Sequence, residues 1–273
     1  MNTNQMNTNI IDLTYAFHSG MLKYPSDPEV SMEIEKARTV QSERDSLAGY
    51  GIKQKYKSGF VNLKARNHHG THIDAPAHKL ADGKTIDQYC IEKFVNTALM
   101  VDLTKLDILA KKYKEIKKDY LNELLDFEKM KEFGVSALLF CTGFCEMITS
   151  TDRGHLFHVD SNDKRRLEQK FPYFTPEAAE YVAANAPFLN VVGIDSFTVD
   201  PSGSNSEAHR AFFAKDILLL ETVVNMETLK LNLMQRNDNL GQSVFTLHCV
   251  PLLYAGADAA QTRAYAQLPV STK

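Results

Sequence analysis

The chain has 273 residues, a formal net charge of −3, 44% hydrophobic residues and 24% charged residues. This length is enough for one large domain with a sizeable core, and the composition is that of a globular protein. The small negative charge argues against nucleic-acid binding through a broad basic surface. We expect neither nucleic acid nor a membrane as a partner.

The chain shows no sequence feature of a secreted or membrane-spanning protein. Its first ten residues, MNTNQMNTNI, contain neither the basic nor the apolar region of a secretory signal. No apolar run reaches the length of about 18 residues that a transmembrane helix needs. Four cysteines in a chain of this length do not indicate a disulfide scaffold, so we expect buried, reduced thiols at Cys90, Cys141, Cys145 and Cys249. These features predict a cytoplasmic protein.

The first part of the chain predicts strands separated by turns. β-Branched residues indicate a strand at residues 10–14, and Pro, Ser and Asp at 25–28 indicate a turn. Alternating apolar and polar residues predict a second strand at 59–66. The histidine-rich segment that follows is predicted to be a loop, because Gly70 and Pro76 both oppose a helix.

The middle of the chain combines strands with one helical segment. A strand is predicted at 97–103. Between residues 105 and 132, apolar side chains recur every three or four positions among Lys and acidic residues, which predicts an inserted amphipathic helix, or a helix pair, with a solvated face. A strand at 136–142 follows, and the polar residues 150–170 are predicted to be a loop.

The last part of the chain alternates a helix with further strands. Thr175 followed by Pro176 is typical of a helix start and predicts a helix over 177–185. Further strands are predicted at 190–195, 217–224 and 245–251. Because strands and helices alternate without a repeat or a linker, we predict a single α/β domain over residues 1–273 with a mixed central sheet.

A histidine motif is the most informative feature of the sequence. Four of the nine histidines fall within eleven residues: His68, His69, His72 and His78. The segment reads H-x-G-T-H-x-D-x-P-x-H from its first to its last histidine. Imidazoles and a carboxylate at close spacing are ligands for borderline divalent cations. Gly70 permits the backbone conformation that brings His68 and His72 together, and Asp74 has a second oxygen with which to bridge a second ion. His69 lies outside the pattern and is predicted to have no role.

A carboxylate at the end of a buried run is a further candidate ligand. Glu221 directly follows the apolar residues 217–220, where an unpaired carboxylate would be costly to desolvate. A bound metal ion would offset that cost, so the position of Glu221 favours a role at a metal site.

The motif resembles the signature of the cyclase family of metal-dependent hydrolases, which includes bacterial kynurenine formamidase and isatin hydrolase. The segment from His68 to His78 carries most of this resemblance. His209 and Glu221, twelve residues apart, resemble the later pair of metal ligands in the family. The resemblance extends along most of the chain, at residues 11–14, 24–28, 139–143, 193–195 and 260–264.

The resemblance implies a role for each of these side chains. Five would bind metal: His68, His72, Asp74, His209 and Glu221. The first three would hold one ion, and Asp74 would join the last two at a second. His78 would act as the proton donor and acceptor. Tyr24 stands where the formamidases carry a Trp that contacts the substrate, and this chain has no Trp.

The resemblance also implies a fold, a cofactor and a reaction. The fold would be of the swivelling β/β/α type, the cofactor one or two Zn or Mn ions per subunit, and the assembly a homodimer or homotetramer. The reaction would be hydrolysis of a non-peptide amide C–N bond by a metal-activated water, as in the conversion of N-formylkynurenine to kynurenine and formate.

The sequence leaves two alternatives to this reaction open. One is the opening of a cyclic amide, imide or lactone, as in isatin hydrolase, or a cyclase-type reaction at the same metal site. The other is a metal-binding protein without catalysis. His78, a histidine that the metal ligands do not require, argues against the second alternative.

Overall fold

The computed structural model describes residues 9–24, 26–35, 60–111, 114–149, 171–235 and 244–269. They belong to two compact units, the larger within residues 1–16, 22–26 and 67–273 and the smaller within 17–21 and 27–66. All residues predicted to bind metal or substrate belong to the larger unit. The assignment of the whole chain to one domain stays a prediction.

The described residues form strands and helices that we number in chain order. The strands are β1 Ile10–Asp12, β2 Ser31–Glu35, β3 Phe60–Lys64, β4 His72–Asp74, β5 Val95–Asp102, β6 Glu115–Ile116, β7 Ala137–Cys141, β8 Tyr173–Phe174, β9 Val191–Ile194, β10 Leu218–Glu221, β11 Val244–His248, β12 Ala259–Gln261 and β13 Tyr265–Gln267. The helices are α1 Lys118–Leu124, α2 Phe127–Glu132, α3 Phe144–Thr149, α4 Pro176–Asn185, α5 Glu207–Phe213 and α6 Met226–Met234. Within the described part of the chain, no helix has the length and apolar character needed to cross a bilayer.

One mixed sheet organises the larger unit. Its strands follow the order β1-β13-β11-β5-β7-β9-β10-β4-β12. Strands β5, β7, β9 and β10 are parallel neighbours, and the pairs outside this group are antiparallel. A separate parallel pair joins β6 to β8, and β2 pairs with β3 in antiparallel fashion in the smaller unit. The predicted α/β class with a mixed central sheet is therefore confirmed.

Helices cover one face of the parallel strands. Helix α4 packs against α1 and α5, and α5 packs against β10. The buried cluster on this face includes Leu138 and Phe140 of β7, Val182 of α4 and Leu219 of β10. Side chains two residues apart on a strand share a face, so Glu221 lies on the same helix-covered face as Leu219.

Strand β4 brings the histidine motif into the sheet, between β10 and β12. Its residues His72 and Asp74 pair with Glu221 and Leu219 of β10. Directly opposed residues of antiparallel strands project to the same face, so His72, Asp74 and Glu221 lie together on the helix-covered side. On the other edge of β4, Ala259 of β12 pairs with Asp74.

The prediction of a loop over the histidine motif is wrong for its second half. His72–Asp74 is a strand, and Pro76–His78 is a 3-10 turn with Pro76 at its start. The strand is too short to be recognised by periodicity, and its pairing with two neighbours stabilises it instead. Gly70 has φ of 71°, a left-handed conformation that glycine adopts without steric cost, which agrees with the role predicted for it.

The prediction of one continuous inserted helix at 105–132 is also wrong. The segment contains 3-10 turns at Thr104–Leu106 and Ile108–Ala110, then β6, α1 and α2. Asp107 separates the two turns with φ of 51°, a left-handed conformation that interrupts a helix. The alternative of a helix pair fits the end of the segment. The loop predicted at 150–170 lies outside the described residues.

The remaining predicted elements are largely confirmed. Thr175 is the N-cap of α4, since its Oγ1 accepts a hydrogen bond from the N–H of Ala178 at 3.3 Å. The predicted strands at 10–14, 59–66, 97–103, 136–142, 190–195 and 245–251 correspond to β1, β3, β5, β7, β9 and β11. Strand β10 ends at Glu221 instead of at residue 224, because Thr222 has φ of 58° and leaves the extended conformation.

A glycine packed against the Pro76–His78 turn provides a test of this local structure. A Cβ atom on Gly83 would lie 2.3 Å from the carbonyl carbon of Pro76 and 2.5 Å from the backbone nitrogen of Ala77. Backbone atoms cannot move aside as a flexible side chain can, so we expect Gly83→Ala to destabilise the protein by about 3 kcal/mol or more in denaturant unfolding.

Gly134→Ala is the matched control for this substitution. A Cβ atom on Gly134 would meet nothing within 4 Å, and only its φ of 64° opposes a side chain. The control should therefore lose about 1 kcal/mol. Equal losses in the two variants would contradict the close packing of Gly83 against the turn.

Candidate metal centre

The carboxylate of Asp74 lies at the centre of the predicted site. Its Oδ1 is 2.9 Å from Nδ1 of His68 and 3.3 Å from Nε2 of His72. Its Oδ2 is 3.5 Å from Nε2 of His209 and 3.9 Å from Nε2 of His78. Each of the four predicted histidines therefore directs one ring nitrogen toward a single buried carboxylate.

Glu221 completes this group of side chains, which we call the Asp74 cluster: His68, His72, Asp74, His78, His209 and Glu221. The Oε2 of Glu221 is 3.5 Å from Nε2 of His72, and its Oε1 is 3.6 Å from Nε2 of His209. The same Oε1 accepts a hydrogen bond from the backbone N–H of Val199 at 2.9 Å. The structure thus brings together every residue for which the sequence predicted metal binding or proton transfer.

Two rings of the cluster are oriented by acceptors of their own. Nδ1 of His72 is 2.9 Å from the carbonyl oxygen of Gly70, and Nδ1 of His209 hydrogen-bonds to the carboxylate of Asp200. Asp200 also accepts hydrogen bonds from the backbone N–H groups of Ala208 and His209, so it caps the first turn of α5 while it orients the ring. In a neutral imidazole, the nitrogen that donates a hydrogen bond to such an acceptor carries the proton. The other nitrogen is then unprotonated and able to bind metal.

The other two rings share one acceptor, Asp258. Its Oδ2 is 2.8 Å from Nδ1 of His78 and 3.2 Å from Nε2 of His68. Burial raises the pKa of Asp258, but hydrogen bonds from His78 and Asn67 and the nearby His68 ring outweigh burial and lower the pKa to about 2. Asp258 is therefore a carboxylate anion at the edge of the cluster.

The sequence did not identify Asp200 or Asp258 as functional residues. Asp200 precedes a Pro- and Gly-containing loop, and Asp258 follows the exposed residues 252–254. A carboxylate in a loop is common, and neither residue lies near the histidine motif in the chain. The strand register that sets Ala259 opposite Asp74 is what brings Asp258 to the motif.

Burial and charge act in opposite directions on the pKa values of the cluster. Burial lowers the pKa of His72, but the carboxylates of Asp74 and Glu221 outweigh it and hold the pKa well above 6.5. Burial also lowers the pKa of His209, but Asp200 and Asp74 raise it to about 9. Burial raises the pKa of Asp74, yet the surrounding imidazoles hold it well below 3.8. In the absence of an ion, charge pairing among these groups replaces the hydration that they lose on burial.

The donor atoms of the cluster fit a metal ion. Three of them are buried and make no hydrogen bond within the described structure: Nε2 of His72, Oδ1 of Asp74 and Nε2 of His209. A buried polar atom that makes no hydrogen bond destabilises the fold by about 1–3 kcal/mol. A bound cation would offset this cost. A tetrahedral ion with bonds of about 2.0–2.1 Å keeps its ligands roughly 3.3 Å apart. The distances of 2.9, 3.3, 3.5 and 3.6 Å between the predicted ligands match that spacing.

Tyr24, the residue predicted to contact substrate, lies in an aromatic group. Its ring centroid is 5.9 Å from that of Phe171, which is 6.1 Å from that of Phe197. Phe197 stands two residues before Val199, whose N–H binds Glu221. The chain thus connects the aromatic group to the Asp74 cluster, although the contact described for Tyr24 does not itself place this residue among the histidines.

The remaining histidines show no comparable arrangement in the described part of the chain. His69 is buried. His248 stacks on Tyr265 with the ring centroids 4.4 Å apart, and its Nε2 is 3.1 Å from Oε1 of Gln267. His155 and His158 lie outside the described residues.

The pKa values predict how the stability of the metal-free protein depends on pH. The raised pKa values of His72 and His209 stabilise the fold fully below pH 6.5, and this contribution is lost as the pH rises toward about 9. The lowered pKa of Asp74 contributes stability above pH 3.8 that is lost at lower pH. The pKa of His68 is also raised, so the lowered pKa of His78 opposes the alkaline loss as one group against three.

Chelator-treated protein should therefore melt at a higher temperature near pH 6 than near pH 9. Metal-loaded protein should show a smaller alkaline loss, because bound ligands are already deprotonated. Thermal melts of both forms across this pH range measure the difference. A melting temperature of the metal-free protein that rises from pH 6 to pH 9 would contradict the charge pairing described above.

Comparison with known proteins gives the family of the chain. Residues 11–201, more than half of the chain, match the family described as "Putative cyclase". Kynurenine formamidase of Bacillus anthracis is 26% identical over 263 residues, which cover 93% of this chain and 95% of that protein. Cyclase-like protein 1 of Oryza sativa subsp. japonica is 25% identical over 259 residues, which cover 93% of this chain and 77% of that protein.

A solved structure supports the same assignment at the level of the fold. An isatin hydrolase bound to the product analogue thioisatinate has a TM-score of 0.67 with this chain, at 18% identity, over 96% of this chain and 92% of that chain. The family match covers the histidine motif, strand β9 and Asp200. The chain therefore belongs to the "Putative cyclase" family.

Proposed function

We propose that this chain is an amidohydrolase that binds a divalent metal at the Asp74 cluster and cleaves a non-peptide amide C–N bond. The observation that carries the proposal is the convergence of four imidazoles on one buried carboxylate, with Glu221 beside two of these imidazoles and with three buried atoms that make no hydrogen bond. The similarity to a kynurenine formamidase along nearly the whole chain supports amide hydrolysis as the reaction class.

Five side chains of the cluster would hold the metal: His68, His72, Asp74, His209 and Glu221. The Oδ1 of Asp74 faces His68 and His72, whereas its Oδ2 faces His209. His68, His72 and Asp74 would therefore hold one ion, and Asp74, His209 and Glu221 would hold a second. A mixed set of imidazoles and carboxylates suits zinc and manganese alike. A divalent cation held there lowers the pKa of a coordinated water and polarises the carbonyl oxygen of a substrate. A homodimer or homotetramer stays a prediction.

His78 is the residue that would transfer protons. Its side chain is 21% exposed, whereas that of Asp74 is 1% exposed, so solvent and substrate reach His78 more easily. Its Nε2 is 3.9 Å from Oδ2 of Asp74, farther than the nearest ring nitrogens of His68, His72 and His209 are from the same carboxylate. His78 would accept a proton from the attacking water and deliver it to the leaving nitrogen. Water and an amide would thereby become a carboxylic acid and an amine.

The aromatic group favours an aryl amide as the substrate. Tyr24, Phe171 and Phe197 lie side by side, and the loop that carries Phe197 also supplies the N–H that binds Glu221. Tyrosine offers a flat ring face to an aryl group, as tryptophan does. We therefore propose an arylformamide such as N-formylkynurenine as the substrate. Isatin, in which the amide is closed into a ring, is the alternative to compare with it.

The variant His78→Ala tests the proton-transfer role. We expect turnover to fall by about 10²- to 10⁴-fold, the usual contribution of a general acid–base group, while metal content stays at the wild-type level. His248→Ala, which removes a stacked histidine on β11, serves as the control and should keep wild-type turnover. Near wild-type turnover of His78→Ala would exclude the proton-transfer role, and loss of metal would indicate that His78 is a ligand.

A substrate panel tests the preference for aryl amides. N-formylkynurenine, isatin, a simple lactone and N-methylformamide would be compared in metal-loaded protein. Tyr24→Ala should raise the KM for the aryl amide by about 10-fold, equivalent to about 1.4 kcal/mol, and leave N-methylformamide unaffected. Tyr24→Phe keeps the ring and should behave like the wild type. Faster turnover of isatin than of N-formylkynurenine would favour ring opening. Equal KM changes for N-formylkynurenine and N-methylformamide in Tyr24→Ala would contradict an aryl-binding role of Tyr24.

A further inference from the structure

Asp258 lies at the edge of the Asp74 cluster, and its backbone position is fixed by the sheet. The next residue, Ala259, pairs with Asp74 across β12 and β4. The carbonyl oxygen of Asp258 accepts a hydrogen bond from the N–H of Ala75 at 2.8 Å. The residue is therefore attached to the end of β4, next to the 3-10 turn that carries His78.

The carboxylate of Asp258 is held on both sides. Its Oδ1 accepts a hydrogen bond from Nδ2 of Asn67 at 2.7 Å, and the same amide group donates to the carbonyl oxygen of Ala259 at 3.2 Å. Its Oδ2 contacts Nδ1 of His78 at 2.8 Å and Nε2 of His68 at 3.2 Å. One oxygen is thus anchored by an asparagine, and the other is directed at two imidazoles.

The contacts of Asp258 Oδ2 with His68 and His78 determine what the other ring nitrogen of each histidine faces. With Nε2 bound to Asp258, the Nδ1 of His68 faces Oδ1 of Asp74 at 2.9 Å. With Nδ1 bound to Asp258, the Nε2 of His78 faces Oδ2 of Asp74 at 3.9 Å. The two ring centroids are 4.3 Å apart. The nitrogens that face the cluster would rotate away if the shared acceptor were lost.

Asp258 differs in this respect from the other acceptors of the cluster. The carbonyl oxygen of Gly70 serves His72 alone, and Asp200 serves the ring of His209 alone. We propose that Asp258 is a positioning residue that orients a metal-binding histidine, His68, and the proton-transfer histidine, His78, through a single carboxylate oxygen. This inference rests on the function proposed above, since it uses the roles assigned there to the two histidines.

A set of variants separates the two roles. Asp258→Ala removes the acceptor from both rings. Asp258→Asn keeps one oxygen that can accept from both, provided that the amide of Asn67 turns and accepts from the new NH2 group. Asp12→Ala is the matched control, since it removes another partly exposed carboxylate with an ion pair, 2.6 Å from Arg263. Circular dichroism and thermal melts verify that each variant is folded.

Metal affinity is the first measurement, and it requires no substrate. Competition with a chelator should show zinc affinity lowered by about 10- to 100-fold in Asp258→Ala, the usual effect of losing a group that orients a ligand. Asp258→Asn should recover most of this loss, and Asp12→Ala should show none. Wild-type affinity in Asp258→Ala would overturn the role at His68.

Turnover at saturating metal is the second measurement. Asp258→Ala should lower kcat by about 10- to 100-fold with little change in KM, and Asp258→Asn should recover part of the loss. In a His78→Ala background, Asp258→Ala should lower kcat little further, because the His78 ring through which Asp258 acts is already absent. It should still weaken metal binding in that background. Additive kcat losses would overturn the role at His78.

A spectroscopic measurement distinguishes failure of this inference from failure of the proposed function. In zinc-loaded wild-type protein, the ring N–H groups of His68 and His78 should give slowly exchanging proton signals in NMR spectra of histidine side chains. The His78→Ala variant assigns one of them. Both should disappear in Asp258→Ala, whether or not the protein hydrolyses any amide tested. Persistence of both signals would overturn the positioning role, while an inactive wild type that loses them in Asp258→Ala would overturn only the proposed function.

Discussion

The burial of the Asp74 carboxylate is the constraint on which the site depends. An ionised carboxylate cannot remain in an apolar interior without partners, and the side chain of Asp74 is 1% exposed. Four imidazoles meet this requirement, two at each oxygen. Each imidazole in turn needs an acceptor for its other nitrogen, and Gly70, Asp200 and Asp258 supply these acceptors. One buried charge thereby fixes the arrangement of residues from four separate parts of the chain.

The sheet provides the rigidity that such a cluster requires. Strand β4 contributes only three residues, but it lies between β10 and β12, so its register is fixed from both sides. A shift by one residue would turn His72 and Asp74 to the opposite face. Helix α5 contributes His209 to the cluster. Asp200 caps the first turn of this helix and also orients the ring of His209. The site lies at the carboxyl end of β10, which is the usual place for ligand sites beside parallel strands.

The sequence identified the side chains that meet at Asp74 better than it identified their surroundings. The motif from His68 to His78 is local, so its chemistry could be recognised without the fold. The buried strands β7 and β9 are apolar runs of strand length and were predicted for that reason. By contrast, β4 is stabilised by its neighbours, and the N-cap residue of α5, Ser206, has a left-handed conformation and provides no side-chain cap. Asp200 and Asp258 could not be predicted, because their importance comes from contacts with residues that are distant in the chain.

The exposures of the side chains in and beside the Asp74 cluster have a kinetic consequence. The side chains of His72, His209 and Glu221 are 2–4% exposed, whereas His68 and His78 are 21% exposed and Asp258 is 36% exposed. The cluster thus has one dry side against the sheet and α5, and one wet side formed by the first and last histidines of the motif and by Asp258. A cation would therefore enter and leave the cluster from the wet side, because access from the dry side requires rarer opening of the packed elements.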